Sequence, residues 1–196
     1  MRASLVVDGA SVSLDPTAVD VDVARFERLL ADGSTEALGQ IAALYRGELL
    51  AGLVLSERPF EEWLTAERVR LHELAIQGLG RLFAHQQQAG DHEVAVQTGL
   101  RLLALDALQE PVHRAVMSLY ARLGRRQAAL RQYQLCMDAL KRELNAQPEA
   151  ETIQLYQQLL KTPPVHPGRA EQSTSATGAA ALPATPRRIC RRRARS

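Results

Sequence analysis

The sequence predicts an all-α chain, and three observations carry that expectation. The first is an internal repeat. Gly90 precedes Ala95 by five residues, Gly124 precedes Ala129 by five, and the two pairs are offset by 34 residues. Leu82 with Val116, Phe83 with Met117, Ala89 with Leu123 and Val94 with Ala128 agree at the same offset. That period marks a tetratricopeptide-like array of antiparallel helix pairs. Gly supplies a left-handed residue where the first helix ends, and the small Ala lets the second helix approach closely. The second observation is composition. Hydrophobic residues make up 46% of the chain but only three Phe, four Tyr and one Trp are present, leaving a Leu, Ala and Val core that suits helices better than a sheet. The third is apolar spacing at i, i+3 and i+4 through most of residues 20–161.

Taken in order, residues 3–15 alternate around Asp8-Gly9, the strongest short hairpin signal. A β-hairpin domain of residues 1–17 is therefore expected, one that must pack on something because a lone hairpin is marginal in water. Val23, Phe26 and Leu30 give a first short helix, with Asp22 as its expected N-cap and Gly33 as its stop. After Ser34, a second cap, Leu38, Ile41, Ala42 and Tyr45 give another. Residues 48–58 are apolar without period and read as a packed connector. Pro59 opens the longest helix, since Pro suits the first helical position. Phe60, Trp63, Leu64, Leu71, Leu74, Ala75, Gly78 and Leu82 form its stripe, interrupted at Glu67-Arg68, which read as a solvated face first and as partners of the preceding helices second. Asp91 and Pro111 open the next two helices. Ala129, Tyr133, Cys136, Met137, Leu140 and Leu144 mark a further one, which should end before Pro148. Thr152 to Lys161 complete the array as a capping helix, covering an otherwise exposed apolar face. The helical domain spans 18–161.

Residues 162–196, rich in Pro, Ser, Thr, Ala and Gly, read as a disordered tail. Seven Arg against Glu171 give this tail a charge of +6, so a net +2 for the chain leaves residues 1–161 at −4. The body thus has no basic footprint for nucleic acid. The run Arg187, Arg188, Arg191, Arg192, Arg193 and Arg195 is a weak candidate for nucleic-acid contact, weak because no aromatics interleave to stack on bases.

No residue pattern points to chemistry. The five His are scattered, Cys136 and Cys190 fit neither a disulfide framework nor a metal site, and no phosphate loop or nucleophile elbow is present. No cofactor, metal or catalytic residue is expected, and Cys136 reads as a reduced core thiol. Without a signal peptide or membrane-length apolar run, a cytoplasmic protein is expected. Repeat packing should rest on Gly90, Ala95, Gly124 and Ala129. The first helices of the pairs, over 71–88 and 111–123, should line an inner face. There His72, Gln86, His113, Arg114 and Arg122, around the apolar body of Tyr120, form the candidate surface for a protein partner.

The ordered motifs also carry a family resemblance. Tyr45-Arg46-Gly47-Glu48-Leu49-Leu50, then Phe60-Glu61-Glu62-Trp63-Leu64 with Glu67-Arg68 and Arg70-Leu71, resemble the bacterial transcriptional activator domain of antibiotic-regulatory (SARP-type) regulators. So do Glu110-Pro111-Val112-His113-Arg114, Met117-Ser118-Leu119-Tyr120-Ala121, Gly124, Ala129-Leu130 with Tyr133, Glu143-Leu144, and Pro148 with Glu151-Thr152. Asp106-Ala107-Leu108 departs from the family's more usual Asp-Pro-Leu. The resemblance implies a regulatory interaction module. Its partner would be another regulator domain, RNA polymerase or a second copy. Family members usually carry a winged-helix DNA-binding domain directly before the module. Residues 3–15 resemble the trailing hairpin of such a domain without its recognition helix, so DNA contact is expected only through a missing or separate winged helix. A generic adaptor that binds a peptide, and a nucleic-acid-binding protein acting through its tail, are the alternatives.

Overall fold

A computed structural model describes residues 5–9, 11–14 and 19–161. Among them are two strands, β1 (Leu5–Asp8) and β2 (Ser11–Leu14), and seven helices. The helices are α1 (Asp22–Asp32), α2 (Thr35–Leu44), α3 (Arg58–Ala89), α4 (His92–Leu105), α5 (Glu110–Arg122), α6 (Arg126–Leu144) and α7 (Ala150–Lys161). The fold is all-α apart from this antiparallel hairpin, in which Leu5 pairs with Leu14 and Val7 with Val12. The expected tail, including Arg187, Arg188, Arg191, Arg192, Arg193 and Arg195, lies outside the described residues.

The helix ends follow the residues that the sequence offers. Gly33 takes a left-handed conformation and returns its N–H to Leu29, while Ser34 Oγ accepts the Ala37 N–H at 3.2 Å to start α2, as N-cap chemistry predicts. Gly90 (φ +81) and Gly124 (φ +72) turn the chain between α3 and α4 and between α5 and α6. Two starts differ from expectation, that of α7, which opens at Ala150 ahead of Thr152, and that of α1. Asp22 is not the cap of α1 but its first residue; Val21 holds the extended cap position, and the carboxylate still favours the dipole from the first turn. The end of α6 is as expected, at Leu144 and before Pro148, and Asn145 closes it with φ +50, a conformation that Asn tolerates better than most residues.

The core is a row of apolar clusters, each shared by neighbouring helices. Phe26, Leu30, Leu38, Ile41, Leu71, Ala75 and Leu82 join α1, α2 and α3. Phe83, Ala95, Val96, Leu103, Val116 and Leu119 join α3, α4 and α5. Met117, Ala129, Tyr133 and Leu159 join α5, α6 and α7, where the Tyr133 and Tyr156 rings stack at 4.0 Å. Ala95 and Ala129 are fully buried. A closer approach occurs at Gly99, where an added Cβ would stand 2.6 Å from Val116 Cγ2 and 3.0 Å from Phe83 Cε2. There α4 meets α5 with no room for any side chain.

Arginines complete what apolar contact leaves undone. The last carbonyls of a helix have no partner within it, and that end carries the negative pole of the dipole. Neither α1 nor α2 has a basic residue in its last turn. Arg81 of α3 donates to the Leu30 carbonyl at 3.0 Å, and Arg101 of α4 donates to the Tyr45 carbonyl at 2.7 Å. Arg126 of α6 does the same for α7, through Leu159 (2.7 Å) and Leu160 (2.9 Å). Arg68, read from the sequence as part of a solvated face, donates instead to the Leu49 and Leu50 carbonyls of the connector. Its neighbour Glu67 pairs with Arg70, which also reaches Glu27 of α1.

The start of α3 departs from the expected apolar stripe. At 32 residues the helix is about 48 Å long, whereas α1 and α2 have 11 and 10 residues. Its first turns therefore outreach the helices that cover the rest of it. Trp63, placed in the stripe by its spacing, is 51% exposed.

Candidate partner surface

The six side chains expected to line the inner face take three different roles. Gln86 and His113 do not project from it. Both are buried, at 9% and 3% exposure. The reason is their position: Gln86 continues the buried series Leu79, Leu82 and Phe83, and His113 begins the series Val116, Met117 and Tyr120, each at i, i+3, i+4 and i+7. That spacing is legible in the sequence and marks both as core-facing polar residues.

His113 is held from two sides. Its Nε2 lies 3.1 Å from the Ala107 carbonyl and its Nδ1 lies 2.8 Å from Gln132 Nε2. A carbonyl only accepts, so Nε2 carries the proton, and Nδ1 accepts from the Gln132 amide. Burial holds the imidazole below its ordinary pKa, against the opposing pull of the two hydrogen bonds and the Glu110 carboxylate. The ring is therefore neutral and structural.

Arg114, beside it on α5, turns toward the start of α7. It reaches Glu149 at 2.7 Å, Glu151 at 3.1 Å and Thr152 Oγ1 at 3.1 Å. Glu110, which is buried, accepts the Glu149 backbone N–H at 2.6 Å. Arg114 and Glu110 together fasten α7 to α5, a junction that sequence reasoning missed because Glu110 looks like any acidic residue in a first turn. Cys136 is buried, and burial pushes its thiol up to about 11, so it is inert as a nucleophile.

The other three lie nearer the surface. His72 is half-buried, with Nδ1 3.4 Å from the Tyr45 hydroxyl. Tyr120 is half-buried between the two clusters that meet on α5, and Arg122 is exposed at the end of that helix. The surface holds a second feature outside the expected one. Phe60 and Trp63 rings lie 5.5 Å apart at the start of α3, and Val54 in the adjoining connector is 82% exposed.

Among the described residues no group of three His, Cys, Asp or Glu is placed to hold a metal ion. No described helix is long and apolar enough to cross a membrane. The family model of the bacterial transcriptional activator domain matches residues 21–160, the whole run from α1 to α7. The chain belongs to that family. No curated protein matches it. It is thus a bacterial transcriptional activator domain, a regulatory and not an enzymatic family, and the match begins after the hairpin. In this activator domain the segment Glu110-Pro111-Val112-His113-Arg114 builds the junction just described: Glu110 and Arg114 secure α7, and His113 secures α6.

Proposed function

We propose that this activator domain is the protein-interaction module of a transcriptional regulator, acting through self-association or contact with the transcription machinery. DNA would be engaged by a winged-helix domain that is not among the described residues. The observation that supports a protein contact is the exposed apolar end at Trp63 and Val54, with half-buried Phe60 beside the Trp63 ring. Aromatic side chains left open to water on a scaffold are the usual anchors of protein interfaces. Tyr120 and Arg122, at the end of α5, are the second contact that we assign, a remnant of the wider surface expected from the sequence. The acidic charge of residues 1–161 argues against direct binding to a phosphate backbone.

The test fuses the full chain to a heterologous operator-binding domain and measures transcription from a promoter carrying that operator. Activation is expected, and Trp63→Ala should lower it while the thermal melt is unchanged. Sedimentation of the unfused chain, with and without Trp63→Ala, separates self-association from machinery contact. A folded fusion that neither activates nor self-associates would sink the reading.

A further inference from the structure

The connector between α2 and α3 is built around a strained residue. Leu50 adopts φ +50, a left-handed conformation that L-residues avoid and that persists only where surrounding contacts enforce it. Arg68 of α3 supplies that enforcement. Its Nε donates to the Leu49 carbonyl at 2.8 Å and its Nη2 to the Leu50 carbonyl at 3.0 Å. Strain held in this way clusters at active sites, ligand clamps and switch regions.

The clamped connector forms one wall of a pocket of about 460 Å³, a volume in the range of small-molecule sites. Val23 and Phe26 of α1, Leu44 of α2 and Leu71 of α3 supply apolar walls. Phe26 and Tyr45 rings lie 6.2 Å apart and tilted by 42°, and aromatic faces attract a cation. Three charged residues join the lining: Asp22, Arg46 and Glu48. Arg46 is turned back, with Nε donating to the Ala43 carbonyl at 3.3 Å. Glu48 stands 3.9 Å from Arg68 Nε, a long contact to a guanidinium already committed to the Leu49 and Leu50 carbonyls, so among the lining residues themselves acidic charge exceeds basic. Glu48 also acts at Tyr45: burial first, and then this carboxylate, hold the phenol above its ordinary pKa.

We propose that this pocket binds a small amphiphile with a flat apolar body and one positive charge. The body would lie against Phe26, Tyr45 and Leu44, and the charge would face Asp22 and Glu48. Arg68 is a positioning residue, since it holds the connector wall without lining the pocket.

Three indole probes of similar shape test the assignment: tryptamine (cationic), tryptophol (neutral) and indole-3-acetate (anionic). Each is titrated into the full chain while backbone amide shifts are followed by NMR. Saturable shifts at Val23, Tyr45, Leu49 and Leu50 are expected. Tryptamine should bind about fivefold more tightly than tryptophol, the effect of roughly one favourable exposed charge contact, and indole-3-acetate least. Asp22→Asn with Glu48→Gln should erase the preference for tryptamine while leaving tryptophol binding intact. Arg68→Ala should weaken tryptophol and indole-3-acetate most, and tryptamine less, because the variant also takes a cation from beside Glu48. No saturable shifts at these amides, shifts confined elsewhere, or tightest binding by indole-3-acetate would each overturn the proposal. The carboxylate variants change exposed polar groups only, and a circular dichroism melt confirms that they fold.

Discussion

His113 of α5 accepts a hydrogen bond from Gln132 of α6, 2.8 Å between ring and amide nitrogens, in a site closed to water. The pair stands inside an otherwise apolar seam. An unsatisfied polar group there would cost about 1–3 kcal/mol, so each residue makes the other tolerable. The same ring donates to the Ala107 carbonyl and so fixes the turn between α4 and α5 as well.

The neutral state of this ring makes stability depend on pH. Its folded pKa is lowered from 6.5, so below that value the unfolded chain binds the proton more readily than the folded one. Stability from this group is then full above about pH 6.5 and is lost as pH falls, until the folded ring also titrates. Thermal melts should show a smaller pH dependence for His113→Gln than for the unmodified chain between neutral pH and about pH 5. Equal slopes would remove His113 from this role.

Close packing between helices predicts sensitivity to added volume. Ala129→Leu should cost about 1–3 kcal/mol through overpacking, read as a lower melting temperature. Gly99→Ala should also destabilise, although Ala is the better helix former by up to about 1 kcal/mol, because stiff Val116 and the Phe83 ring leave its Cβ no space. Adding Val116→Ala to Gly99→Ala should recover part of the loss. A melting temperature that rises in Gly99→Ala would show that α4 and α5 can move apart freely.

Removing Arg126 should loosen α7 selectively. Arg126→Ala takes away two hydrogen bonds to the Leu159 and Leu160 carbonyls, each worth about 1 kcal/mol. Hydrogen exchange should accelerate at α7 amides and not at those of α4. Uniform acceleration along the chain would mean that α7 opens only with the whole array.

No specific operator binding is expected from residues 1–161, whose net charge of −4 opposes phosphate contact. A gel shift of that fragment against the promoter region of its own gene checks this, and specific retention at physiological salt would refute it.

Much of the helix plan was legible because its signals are local. Gly33, Ser34, Pro59, Gly90 and Gly124 act on their own turns, and apolar spacing marks the buried faces. What escaped depends on contacts distant in sequence. Nothing near Arg68, Arg81 or Arg101 announces which carbonyl each will reach, and Trp63 follows the helical stripe although no helix covers it. Gln86 and His113 were misplaced for a different reason. Their positions fall on the buried stripe, but polarity suggested the surface, and the hydrogen bonds that make burial possible for His113 come from Ala107 and Gln132. Gly99 was passed over because a glycine inside a helix carries no sign of what stands opposite it.

The arginines at the helix ends have a mechanical consequence. Apolar attraction is non-directional, so burial alone defines the axial position of two packed helices less sharply than a directional contact does. A guanidinium seated on a carbonyl of the neighbouring element allows no sliding, since a shift of one residue empties it. Arg81, Arg101 and Arg126 make these contacts across 51, 56 and 33 residues of sequence. They fix the axial phase of α1, α2 and α7 against the helices between them. Extra residues should therefore be tolerated in the turns, whereas a turn added within α3 or α6 would dislocate the array along its length.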